Sequence, residues 1–301
     1  MTEKIKINFL GTSASVPSAT RNPTAILLRY KDEDILIDCG EGTQRQFRRA
    51  KLNPCRINKI LVTHWHGDHV FGLPGLFQTL VLSGYNRDMK VFGPKGTKDF
   101  MKNFIRIFVP VFLFKADVEE VYQGKFFEND EFYIESELME HGIPVNAYNF
   151  VIKEKIRIDK AKLKKLKLPA GKYLSEIQKG KDVILNGKKI KAKDLTYVEK
   201  GRKISFVLDT TYNERIEDFV KDADLLICES SFDSELVETA TEHLHLTAEQ
   251  AGEIAKKAKV KKLILTHISQ RYEFNEKVLI ADAKKHFKNV SVAKDFDEVV
   301  I

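Results

Sequence analysis

The chain has 301 residues, 43% of them hydrophobic and 31% charged, with a formal net charge of +7. It is long enough to bury a large core, and no run of about 18 apolar residues interrupts it, which excludes a chain embedded in a membrane by helices. Three widely spaced cysteines, Cys39, Cys55 and Cys228, exclude a disulfide framework and a Cys-x-x-Cys metal site. Met1 to Lys6 leads directly into a strand pattern with no secretory signal, so a cytoplasmic protein is expected.

Alternation from Lys4 to Leu10 predicts a first strand, broken at Gly11, and further strands are expected over Ala25 to Tyr30 and Ile35 to Ile37. The intervening loop, Pro17 to Pro23, carries Arg21, a candidate phosphate contact. After Asp38 the glycines of Gly40-Glu41-Gly42 permit a tight turn, and Thr43 is expected to cap a helix running to about Ala50. The β-branched and apolar run Ile60-Leu61-Val62-Thr63 then stops at four potential metal ligands within six residues: His64, His66, Asp68 and His69. Three of only eight histidines are gathered here, and buried imidazoles packed for bulk alone would lack hydrogen-bond partners.

Val70 to Leu82 reads as loop then helix, followed by a strand near Val91, a helix from Thr97 to Ile107 and hairpins between Val121 and Leu138. His141 stands beside Gly142 at a strand end, a placement that keeps an otherwise structural type of histidine in play as a ligand; Ala147 to Ile152 is the next strand. From Lys153 to Lys203 there are 18 Lys and Arg against 6 Asp and Glu, a net of +12 that leaves the rest of the chain at −5. This segment combines a lysine-rich helix over Ile158 to Leu168, a turn at Pro169 to Lys172, and an Asn186-Gly187 hairpin. It reads as a basic insertion facing a polyanion such as nucleic acid.

The regular rhythm then resumes. Ile204 to Asp209, Leu225 to Glu229 and Leu263 to His267 are apolar strands ending in chemistry-bearing residues, and a helix spans Thr247 to Ala258. Strands ending at His64, His141, Asp209 and His267 argue for an α/β layered fold with its site along one edge, holding enough His and carboxylate donors for two metals.

The His-x-His-x-Asp-His pattern at a strand end resembles the signature of the metallo-β-lactamase superfamily. Gly40 to Gln46, together with Thr266-His267-Ile268-Ser269-Gln270-Arg271-Tyr272, is similar to motifs of its tRNase Z family, which trims the 3′ trailer from precursor tRNA. The likeness runs over nearly the whole chain. It implies a single αββα sandwich over residues 1–301, with residues 153–203 as a flexible tRNA-binding arm, and an enzyme working as a homodimer with two zinc ions per subunit. His64, His66 and His141 would hold one ion and Asp68, His69 and His267 the other, with Asp209 bridging and Asp68 also directing the attacking water. His245, oriented by Glu229, would be the general acid, with His243 a rival for that role. The 3′ end would be steered by Arg21, Arg271 and Tyr272, and the arm would grip RNA through residues such as Lys164, Lys165, Lys167 and Lys172. A small-substrate phosphodiesterase of the same superfamily is the alternative. The chain departs from the family at Ala19, where a basic residue is usual, at Gly171-Lys172-Tyr173, which lacks the usual proline, and at Cys228, often a histidine.

Overall fold

The computed structural model describes residues 3–109, 114–166, 168–185 and 187–301. Its first half builds β1 (Ile5–Gly11), β2 (Ala25–Tyr30), β3 (Glu33–Ile37), β4 (Ile57–Leu61), β5 (Met89–Gly93) and β6 (Ala116–Glu120). The second sheet begins with β7 (Gly124–Glu128), β8 (Phe132–Glu140) and β9 (Pro144–Ile152). The basic segment contributes β10 (Lys155–Ile158), β11 (Val183–Leu185), β12 (Lys188–Ile190) and β13 (Thr196–Glu199). The chain closes with β14 (Arg202–Val207), β15 (Leu225–Glu229), β16 (Leu263–Thr266), β17 (Val290–Val292) and β18 (Glu298–Val300).

Two seven-stranded mixed sheets result, in the orders β18-β1-β2-β3-β4-β5-β6 and β17-β16-β15-β14-β9-β8-β7. Each is antiparallel on one side and parallel on the other: β3 to β6 run parallel, as do β14 to β17. The central parallel strands β15 and β16 are buried at every residue and largely apolar because both of their faces are covered, whereas the edge strand β6, Ala-Asp-Val-Glu-Glu, is partly exposed. One face of each sheet meets the other sheet through residues such as Phe9, Ile26, Tyr148, Phe150 and Phe206. The outer face of the first sheet packs Leu27, Leu36 and Val91 against Phe47, Leu76 and Phe77 of its helices. On the second sheet Val207, Leu226 and Cys228 pack against Ala251, Ile254 and Leu279. The layers are therefore helix, sheet, sheet, helix, the layered α/β arrangement expected from the sequence.

Most expected elements are present to within a few residues. Thr43 is not the cap of its helix: Gly42, at φ 76°, occupies that position, and Thr43 begins the helix with its hydroxyl donating back to the Gly40 carbonyl. A backbone that turns left-handed just before a helix favours glycine over a side-chain cap. Cys228 points outward into the apolar layer while Glu229, next in the strand, points to the site; the alternation of a strand separates their roles.

Residues 153–201 leave and re-enter the second sheet at facing positions, since Arg202 pairs with Ile152 across the antiparallel β9–β14 contact. Between these points lie two two-stranded ribbons, β10–β13 and β11–β12, and helices over Lys160–Lys165, Tyr173–Gln178 and Ala192–Leu195. The segment has its own small core, in which Ile177, Ala192 and Leu195 are buried with Leu163, Leu168, Tyr173 and Ile190 against them. The expected hairpin is present as β11 and β12; Asn186 at its turn, like Lys167, lies outside the described residues.

Candidate metal centre and active site

The site lies where the parallel strands of both sheets end. β3 delivers Asp38 and β4 the His64 to His69 turn; on the other sheet β14 delivers Asp209, β15 Glu229 and β16 His267, while His141 sits in the turn from β8 to β9. Asp38, Asp209 and His267 all have positive φ, 56°, 47° and 55°. Each is the point at which an extended strand breaks off, and non-glycine residues held so are uncommon outside functional sites. Gly40 allows the turn after β3 to touch the metal motif, since a Cβ there would stand 2.5 Å from the Asp68 carbonyl.

Two sets of donors converge: His64, His66, His141 and Asp209, and Asp68, His69, Asp209 and His267, with each set's ligand atoms within 4.8 Å of one another. In the first, His66 Nδ1 lies 3.0 Å from His64 Nε2 and 3.2 Å from His141 Nε2. In the second, His267 Nε2 is 3.3 Å from both His69 Nε2 and Asp68 Oδ2. Asp209 belongs to both: its Oδ2 is 3.2 Å from His69 Nε2 and 3.6 Å from His64 and His141 Nε2, and its Oδ1 is 3.2 Å from His267 Nε2. Among the described residues that buried Oδ1 has no hydrogen-bond partner.

The outer nitrogen of four histidines is already committed. His64 Nδ1 meets the Thr63 hydroxyl at 3.0 Å, His69 Nδ1 meets Asp38 at 2.7 Å, His141 Nδ1 meets the Leu244 carbonyl at 2.9 Å, and His267 Nδ1 meets the Ser231 hydroxyl at 2.9 Å. With protons on these Nδ1 atoms, the Nε2 lone pairs face one another across a buried space that only a cation would make favourable. The donor set and the unpartnered Asp209 oxygen are consistent with a binuclear metal site.

Electrostatics follows from burial and these pairings. Burial, reinforced by the neighbouring His69, drives the His64 imidazole well below its usual range, keeping it neutral as a ligand must be. Burial opposes charge on His69 too, but Asp209 and Asp38 outweigh it and raise that ring well above the usual range, so a cation at its Nε2 would bind in exchange for a proton. Burial would raise Asp68; bonds with His267 and His69 overcome it and keep the carboxyl ionised.

Beside the donors, His245 Nδ1 lies 3.0 and 3.1 Å from the two oxygens of fully buried Glu229. Burial disfavours the imidazolium, yet Glu229 wins and raises His245 to about 9. His243 is exposed and faces the Phe232 ring nearly parallel, at 6.5 Å and 14°. A cavity of about 210 Å³ adjoins His245, lined among others by Ser15, Phe232 and Arg271; Ser15, Phe232 and His245 also border the cleft over the donors.

Two expected substrate contacts are corrected. Arg21 is 3% exposed, and its guanidinium donates to Thr12 Oγ1, the Ala293 carbonyl and Glu276, so it braces the loop from inside and cannot reach a phosphate. Tyr272 is buried with its hydroxyl accepting from the Asp233 N–H. Lys164, Lys165 and Lys172 are exposed on the basic segment. Sequence reasoning missed Asp38 and Ser231. Asp38 takes N–H and O–H bonds from Thr63 as well as the His69 bond, and its signal was present: an apolar strand ending in a carboxylate, as for Asp209.

Family models match two parts of the chain: that of the anti-Pycsar protein Apyc1 over residues 5–103 and that of the beta-lactamase superfamily domain over residues 187–268. Full-length similarity is consistent. A ribonuclease Z of Bacillus velezensis is 36% identical over 307 aligned residues, covering 99% of both chains. One from Nanoarchaeum equitans is 38% identical over 267, covering 89% of this chain and 84% of the relative. The crystal structure of the short form of human tRNase Z superposes with a TM-score of 0.71 at 28% identity, covering 98% of each chain.

Proposed function

The chain belongs to the ribonuclease Z family of tRNA 3′-processing endonucleases, and from that premise we propose that it removes the trailer of precursor tRNA with two zinc ions held around Asp209. The observation that carries the reading is the sharing of Asp209 by two donor sets at the ends of both sheets. His64, His66 and His141 are assigned to one ion, and Asp68, His69 and His267 to the other. Bound zinc supplies Lewis acidity toward a phosphoryl oxygen and lowers the pKa of a water so that hydroxide is available near neutral pH.

Asp68, whose carboxylate is held by the Ser15 N–H at 2.9 Å and faces the cleft, orients or deprotonates the attacking water. His245 carries a proton at neutral pH because Glu229 raises it, and with Nδ1 fixed on that carboxylate it gives the proton of Nε2 to the departing 3′ oxygen. The tRNA is left with a 3′-hydroxyl. Arg271, in the cavity beside His245, binds the backbone next to the scissile bond. Residues 153–203 act as a flexible arm that grips the tRNA through phosphates, Lys164, Lys165, Lys167 and Lys172 among them. We assign the working form as a cytoplasmic homodimer in which one subunit's arm serves its partner's cleft, an assignment supported by the family resemblance.

The test is cleavage of a labelled precursor tRNA with a 3′ trailer, with and without encoded CCA, mapping product ends and including a chelator control. Chelator-sensitive cutting at the trailer junction is expected. Intact tRNA alongside hydrolysis of a small phosphodiester would overturn the tRNA reading and leave the phosphodiesterase alternative.

A further inference from the structure

Between the donor sets and the His245–Glu229 pair stands a single hydroxyl. Ser231 is 2% exposed, and its Oγ lies 2.9 Å from His267 Nδ1, 2.9 Å from Glu229 Oε2, 3.2 Å from the His267 carbonyl and 3.5 Å from His245 Nδ1. A hydroxyl has one proton to give and two lone pairs to offer. With His267 Nε2, which faces Asp68, Asp209 and His69, taken as the ligand atom, its proton resides on Nδ1, so Ser231 must accept there. Its own proton then goes to the nearer and charged acceptor, Glu229 Oε2, in preference to the His267 carbonyl.

Glu229 has thereby a full complement of donors: Ser231 on Oε2, His245 on both oxygens, and the Thr210 N–H on Oε1 at 2.6 Å, from the residue next to Asp209. We infer that Ser231 is a positioning residue that serves both halves of the reaction, fixing His267 as an Nε2 ligand while fixing the Glu229 carboxylate that orients His245. The inference rests on the metal assignment of the preceding subsection. Loss of the hydroxyl leaves His267 Nδ1–H without its acceptor in a buried site and frees Glu229 to turn, so metal affinity and turnover fall together. Asp38 braces His69 directly and His64 through the Thr63 hydroxyl, and none of these bonds reaches the acid.

The test compares wild type, Ser231→Ala and Ser231→Thr, each full-length. Zinc is removed and returned in competition with a chromophoric chelator, a readout that needs no RNA. Ser231→Ala is expected to weaken one of two bound zinc ions by roughly 10–100-fold, the usual scale for a lost partner behind a ligating histidine, with the other little changed. Its kcat on precursor tRNA should fall while KM holds, and Ser231→Thr should restore both properties. Thermal unfolding of the metal-free proteins checks the fold; equal midpoints exclude a general loss of structure. Wild-type zinc affinity in Ser231→Ala, or failure of threonine to rescue a well-folded alanine variant, would overturn the inference. Failure of wild type to cut tRNA would strike the functional reading, and the zinc titration would still decide on Ser231.

Discussion

The cleft and the basic segment handle charge in opposite ways. In the cleft, Asp38, Asp209, His64, His69 and His267 are all nearly inaccessible to water and hold one another at 2.7–3.6 Å, and equally buried Glu229 holds His245 at 3.0 Å. Between Lys160 and Lys200 the described cations are all exposed, over a core of three buried side chains. Burial makes each cleft residue costly to remove, because its partners are left desolvated and unpaired. Exposure makes each lysine nearly neutral to stability and leaves it free to meet a phosphate. The contrast predicts all-or-none effects in the cleft and graded, salt-dependent effects on the segment.

The largest effect is expected from Asp209→Ala. Both donor sets lose their common member, so zinc content measured on the purified protein should drop for both ions, and cleavage of precursor tRNA and of a small phosphodiester should fall to background together. Retention of two ions per subunit would contradict the shared-carboxylate assignment.

Next come the two histidines that residue type alone left as rivals. His245→Ala should lower kcat by roughly 10²–10⁴-fold, the range for a lost general acid. His243→Ala, which removes an exposed ring that borders the same cleft and faces Phe232 but has, among the described residues, no buried carboxylate like Glu229 to orient it, should change kcat little. The reverse ranking would reassign the acid. The pH profile sharpens this: a general acid at His245 would act in its protonated form, which is present below its pKa of about 9, so activity should decline as pH rises through that value. In Glu229→Gln the carboxylate that opposes burial is gone, and the alkaline limb should move to lower pH. An unmoved limb would mean that another group titrates there.

These predictions draw on residues that the sequence displayed with unequal clarity. His64, His66, Asp68 and His69 were legible because they crowd one strand end, and Asp209 and His267 because β14 and β16 are apolar runs that stop at them. Ser231 carried no such mark: its role comes from where its hydroxyl falls between Glu229, two positions away, and His267, 36 positions away. Arg21 misled for the converse reason. An arginine in a polar loop is ordinarily exposed, and nothing local indicates that Glu276, 255 positions on, folds back to enclose it. The pairing of β18 with β1, which closes the first sheet, joins chain ends that no local pattern connects. Periodicity reports faces of single elements; partners across the chain are set by topology.

The basic segment offers a milder break. Deleting Lys155 to Lys200 leaves Lys153, Glu154 and Gly201 to join Ile152 to Arg202, which already face each other in register, so a short glycine-containing hairpin should close the sheet. The shortened protein should keep its zinc and its hydrolysis of a small phosphodiester while losing tRNA binding. Parallel loss of both activities in a folded, zinc-loaded variant would show that the segment shapes the cleft itself.

The smallest effect distinguishes binding through phosphates from binding through shape alone. Lys164 and Lys165 stand on the short helix Lys160–Lys165, capped by Asp159 and with no residue of the helix buried, so neither is needed to hold it. Were each to neutralise one phosphate, replacement by alanine would weaken precursor binding modestly at low salt and by progressively less as salt rises. The plot of log affinity against log salt concentration should lose about 0.7–0.9 in slope for each lysine, with kcat at saturating RNA unchanged. The double variant should lose about twice as much, since contacts to separate phosphates release counterions independently. A slope that stayed at the wild-type value would remove these two lysines from the RNA contact while leaving the deletion result, and the rest of the segment's charge, to carry the binding.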